Sequence, residues 1–158
     1  LVDGSDGRAQ FGRPNQSHIH PDVHDIAVHP VSPDLVFAPT GGGFFRSEDG
    51  GETWTRLYDS YMRAVWLDPA DADHLLIGPA DGPSGRNGRI LQSFDGGQSW
   101  SEPLAAWEQN MPERLTAVND QLFAVMAGGQ LLAASPDHHD WLPILTETPG
   151  INVVTTMK

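Results

Sequence analysis

Arg46–Leu57 reads RSEDGGETWTRL and Gln92–Leu104 reads QSFDGGQSWSEPL, so Ser-x-Asp-Gly-Gly-x-x-Trp is written twice, at Ser47 to Trp54 and at Ser93 to Trp100. The string has the chemistry of a turn. Glycines after the Asp take positive φ without a Cβ clash, and the Asp carboxylate and Ser hydroxyl accept the turn's own N–H groups. The Trp returns on the following strand, where burying its indole contributes about 2–3 kcal/mol by area. Ser47, Asp49, Gly51, Trp54, Ser93, Asp95, Gly97 and Trp100 are therefore expected to be scaffold and not reacting groups.

Working outward, each string closes a longer repeat, and three segments align: His24–Leu57, Arg63–Leu104 and a shorter, degenerate Arg114–Leu145. Each opens with an apolar run (Ile26–Val28, Ala64–Leu67, Leu115–Val118) that ends in His29-Pro30, Asp68-Pro69 or Asn119-Asp120. A second run follows (LVFAPT, LLIGPA, LFAVMA), then a Gly-bearing turn and a third run (GFFRS, GRILQS, QLLAAS), the box and a fourth short strand. No stretch of helical spacing is longer than AAWEQN, Ala105 to Asn110. Four short strands per repeat of roughly 40–50 residues predict an all-β chain of β-propeller blades, each of four antiparallel strands. The expected units are 18–58, 59–107 and 112–146, with a lone strand over 150–158, all within one partial propeller spanning 1–158.

The two full boxes resemble the Asp-box, or BNR repeat, of the sialidase-like β-propellers, and Ser135–Trp141, SPDHHDW, resembles a worn copy retaining Asp137 and Trp141. The resemblance implies that the box joins the third and fourth strands of a blade, away from the axial pocket. It points to two kinds of protein: ligand- or protein-binding scaffolds, including YCF48-like assembly factors, and glycoside hydrolases of sialidase-like or xyloglucanase-like type. Sialidases of this fold use an arginine trio, a Tyr assisted by a Glu, and an Asp. Only the arginines have an echo here.

Composition narrows the partners. The formal charge of −12, with a single lysine at Lys158, argues against nucleic acid, which needs clustered cations. No apolar run approaches the roughly 18 residues of a membrane span. The chain has no cysteine, so no disulfide or thiolate chemistry, and its compartment stays open. No cofactor is expected: Gly82–Arg89, GPSGRNGR, lacks the Gly-Lys-Ser/Thr ending of a phosphate loop and reads as a hairpin extension able to touch a ligand.

A propeller site lies at the axial mouth, ahead of each innermost strand. Aligning the units by their first turns places His24, Arg63 and Arg114 at equivalent positions, with Asp25, Tyr61 and Glu113 beside them. Two convergent guanidinium groups suit a carboxylate, sulfate or phosphate, and a pair among Asp22, Asp25 and Glu113 suits glycosidase chemistry. The alternative is that these cations simply pair with Asp22, Asp25 and Glu113. His18, His20, His24 and His29 form a further cluster whose spacing admits a metal, but Pro21 breaks the strand and a loop of neutral histidines is the simpler expectation, so no metal is assigned.

Three blades do not close a ring, which takes four to eight. Further blades of the same chain or a second copy are expected to complete it. LVDGSDGRAQFGRP reads as the tail of a preceding blade, so the chain is expected to be the C-terminal portion of a larger propeller. The expected ligand is a carbohydrate or a protein.

Overall fold

The computed structural model describes residues 18–135 and 140–146. Asp137 and the strand expected over 150–158 lie outside them. Among the described residues, twelve strands form three four-stranded antiparallel sheets, each a run of consecutive neighbours. The first holds β1 (Ala27–His29), β2 (Ser32–Thr40), β3 (Gly43–Ser47) and β4 (Thr55–Tyr58). The second holds β5 (Tyr61–Asp68), β6 (Asp71–Ala80), β7 (Arg86–Ser93) and β8 (Ala105–Gln109). The third holds β9 (Pro112–Val118), β10 (Gln121–Met126), β11 (Leu131–Ala134) and β12 (Trp141–Leu145). The all-β expectation of successive propeller blades is met. AAWEQN, the one stretch with helical spacing, supplies β8, because pairing with β7 outweighs local propensity over so short a run. No helix of the described residues is long and apolar enough to cross a membrane.

The middle sheet is buried on both faces, and its side chains alternate accordingly. Val65, Leu75, Ile77 and Leu91 meet Phe37 and Phe44 of the first sheet, whereas Ala64, Leu76 and Ile90 meet Leu115, Leu122 and Leu132 of the third. Phe37 and Phe44 stack at 5.6 Å between centroids, and Trp100 presents its edge to Phe44 at 5.9 Å. The second Trp of the repeat thus plugs the seam between two sheets.

Both repeated strings fold into the same turn between the third and fourth strands. Ser47 Oγ donates to Asp49 Oδ1 (2.7 Å) and accepts from Gly51 N (2.8 Å), while Thr53 donates to Asp49 through its N–H (2.8 Å) and its hydroxyl (2.5 Å). Ser93, Asp95, Gly97 and Ser99 repeat these bonds within 0.1 Å. The glycine pairs sit at φ of 71° and 99°, and of 68° and 90°, where a Cβ carries a steric penalty. The Thr53 and Ser99 hydroxyls, then their backbone N–H groups, hold the Asp49 and Asp95 carboxyls down at about 2. In the third sheet Trp141 is buried against the shared core, and Ser135 and Asp140 bridge the turn through Ser135 N to Asp140 O (2.7 Å).

Candidate functional site

The innermost strands β1, β5 and β9 carry the same irregularity at their starts. In β5, Met62 pairs with Pro79 and Ala64 with Gly78, which leaves Arg63 as the extra residue of a bulge. In β9, Pro112 pairs with Met126 and Arg114 with Val125, which leaves Glu113 in that role. Ahead of β1, Val23 pairs with Thr40 and Ala27 with Phe37, so His24, Asp25 and Ile26 face only Ala38 and Pro39. A bulge twists its strand and re-aims the side chain it inserts, which is why bulges recur beside binding sites.

The first-hairpin pairs His29 with Ser32, Asp68 with Asp71 and Val118 with Gln121 give the true correspondence. Counting back equally from His29, Asp68 and Val118 reaches His24, Arg63 and Glu113. Arg114, expected at this position, is one residue further along the strand and exposed. The expectation was displaced because the Asn119-Asp120 turn, with both residues at positive φ (49° and 65°), begins one residue later in its hairpin than Asp68-Pro69 does.

These positions come together around Tyr61. The His24 Nδ1–H donates to the Met62 carbonyl (2.8 Å), its Nε2 lies 3.2 Å from Asp22 Oδ1, and its ring tilts against Tyr61 at 4.9 Å. Because a carbonyl only accepts, Nδ1 carries the proton. Arg63 Nε donates to the Tyr61 hydroxyl (2.8 Å), and Arg63 Nη1 pairs with Glu113 Oε1. The guanidinium carbon stands 5.7 Å from the Tyr61 ring centroid. Burial alone lowers the Arg63 pKa, but the Tyr61 hydroxyl and the Glu113 carboxylate outweigh it and raise the value, so the cation is secure. The side chains of Arg63 and Glu113 remain 34% and 38% exposed, which leaves their outer edges open to a ligand.

A polar string from Asp22 to Glu113 therefore spans all three sheets at one end. The two arginines do not form a fork: Arg63 is engaged by Tyr61 and Glu113. Asp25 turns back on its own backbone and accepts from Ile26 N (2.8 Å). The histidine cluster does not assemble. His29 is buried, with Nε2 3.2 Å from the Asp68 carbonyl, and His20 lies against Gly42 and accepts from Asp22 N (3.2 Å). No group of three His, Cys, Asp or Glu among the described residues is placed to hold a metal ion. The Gly82–Arg89 extension is partly strand, since β7 starts at Arg86, and the Asp81 carboxylate accepts from Asn87 Nδ2 (2.5 Å) across its base.

Sequence reasoning missed Asn110. Its Oδ1 accepts from Met111 N and Gly128 N, both at 3.0 Å, and its Nδ2 donates to Gln130 (3.1 Å), tying the mouth-end loops of the third sheet to the exit from β8. An Asn just ahead of a strand that opens with Pro is the available signal, being a residue type that caps turns through its side chain.

No family model matches the sequence. A xyloglucanase from Hypocrea jecorina (strain QM6a) is 33% identical over 84 residues, which cover 51% of this chain and 10% of that protein. An ancestral GH74 enzyme superposes with a TM-score of 0.64 at 15% identity, over 81% of this chain and 19% of the other. YCF48 bound to D1 peptide superposes with a TM-score of 0.60 at 19% identity, over 82% of this chain and 43% of the other. The fold is that of part of a β-propeller. The chain spans about a tenth of the xyloglucanase and less than half of either solved structure, and the structural likenesses speak for the fold alone. Within the propeller, the bulges fall at the end where β2–β3 and β4–β5 connect, and the two repeated Ser-x-Asp-Gly-Gly-x-x-Trp strings at the opposite end.

Proposed function

We propose that the chain supplies three Asp-box blades, over 18–58, 59–107 and 112–146, to a propeller of the sialidase-like superfamily that binds a ligand at its mouth. The observation that carries this reading is the repeated bulge, which sets His24, Arg63 and Glu113 around Tyr61. This arrangement offers a fixed cation and a carboxylate beside the Tyr61 and His24 rings. Such a surface fits a protein segment or a carbohydrate, and the YCF48 structure with its peptide is support for the former. The ring is completed by further blades of the chain or by a second copy.

The test is calorimetric titration of the protein with neutral oligosaccharides and with short peptides, repeated for Arg63→Ala and Tyr61→Ala. The expected result is binding that both substitutions weaken by about tenfold or more, the equivalent of 1.4 kcal/mol. Binding unaffected by both removes the mouth from the reading. The 33% identity to a xyloglucanase favours a second reading, a glycoside hydrolase whose other catalytic groups lie on further blades. Release of reducing ends from xyloglucan by the propeller with its further blades in place, lost in Glu113→Gln, is its signature.

A further inference from the structure

A second feature lies at the far end of the second sheet from the mouth. Phe94 follows β7 inside the repeated string, yet it is 69% exposed and held flat. Its ring stacks on His74 at 4.7 Å and 13°. His74 is fixed in turn: Nδ1 lies 2.8 Å from Asp68 Oδ2, Nε2 lies 2.7 Å from the Gln92 side-chain amide, and Trp66 meets it edge-on at 5.4 Å. One face of Phe94 is thus backed by a clamped imidazole and the other is presented to solvent. The turn itself does not require this, because the same position in the first string is Glu48, which reaches back to Arg46.

Phe94 also walls a shallow cavity of about 300 Å³ together with Gln92, Asp95, Ser99 and Ser101. The combination is an exposed, stacked aromatic face beside an amide, hydroxyls and a carboxylate that also bond within the turn, Ser99 to Asp95 and the Gln92 amide to His74, so a ligand meets their remaining hydrogen-bonding capacity. Fixing the ring beforehand removes ordering entropy that a free aromatic side chain loses on binding. A pyranose matches it: the apolar C–H face covers the ring while equatorial hydroxyls meet the polar rim. Asp68, Asp71, Asp73 and Asp95 lie at this end of the sheet and outnumber the Arg46 guanidinium, which donates to the Gly96 carbonyl (3.2 Å), so the field disfavours an anionic ligand. We propose that Phe94, backed by His74, is a stacking platform for a neutral saccharide, a site separate from the mouth.

The test is an NMR titration of the protein with cellotetraose, with maltotetraose and with an arginine-containing peptide, repeated for Phe94→Ala, Phe94→Glu and Arg63→Ala. Phe94→Glu installs the residue type of the first string, so a fold already tolerated by this turn is retained. The expected result is that a tetrasaccharide shifts the Phe94 and His74 ring signals. Both Phe94 substitutions should weaken it by about tenfold or more, and Arg63→Ala should change it by less than about twofold. No shift up to about 20 mM saccharide, shifts confined to the mouth, binding that survives both Phe94 substitutions, or binding of the peptide alone overturns the proposal. Loss in Arg63→Ala without loss in the Phe94 variants instead assigns the sugar to the mouth.

Discussion

Arg63 and Glu113 are each the inserted residue of a bulge at the start of an innermost strand, and their side chains pair across two adjacent sheets. Their partial exposure makes the pair worth about 0–1 kcal/mol. Arg63→Met should therefore shift the urea unfolding midpoint only slightly. A large loss of ligand affinity in the same variant then reports recognition, whereas a large loss of stability means that the pair is structural.

The string turns should contribute to acid stability. Asp49 and Asp95 fall from the ordinary 3.8 to about 2, chiefly through the Thr53 and Ser99 hydroxyls. A carboxyl depressed on folding stabilises above its unfolded value and loses that contribution as pH falls through the folded one. Thermal midpoints should drop between about pH 4 and pH 2. The Asp49→Asn, Asp95→Asn double variant should be less stable than the parent at pH 7 and show a flatter profile in that window. A parallel profile would move the acid sensitivity to other carboxyls.

Gly78 of β6 lies in close contact with Pro112, the first residue of β9 in the third sheet. A Cβ there would lie 2.8 Å from Pro112 Cβ and 3.1 Å from Cβ of Ala64, its partner on β5. Gly78→Ala should cost about 1–3 kcal/mol in urea denaturation by overpacking. An unchanged midpoint would mean that the seam yields.

Phe44→Ala should be more severe. The ring is fully buried between Phe37 and Trp100, and truncating a buried Phe costs about 3–5 kcal/mol. Loss of the near-ultraviolet dichroism of Trp100 at lower denaturant is the readout.

Among the described residues, seven of the eight exposed large hydrophobics belong to the two outer sheets or the segments flanking their strands: Val23, Ile26, Val28, Val31 on one side and Leu142, Ile144, Leu145 on the other. Apolar surface placed at both ends of an arc favours association. Light scattering should show a mass that rises with concentration, and Val28→Thr with Ile144→Thr should reduce the rise. A mass fixed at that of one chain would leave these faces without a packing role between copies.

The turn chemistry and the strand rhythm were local properties of the chain. Asp followed by Gly-Gly specifies a backbone conformation within a few residues, so the paired turns, the four-strand repeat and the propeller class were legible without coordinates. The same locality explains what was not. A bulge adds one residue to one strand and leaves the apolar pattern almost unchanged, so the sequence put Arg114 where register puts Glu113. That single step turns an apparent pair of arginines into an ion pair. Phe94 on His74 was equally hidden, because the two rings lie on different elements and meet only when β6 and β7 pair. Residue type and short-range spacing determined the blades; pairing register and the packing of one sheet on the next decided which side chains share a site, since those depend on contacts between residues far apart in the chain.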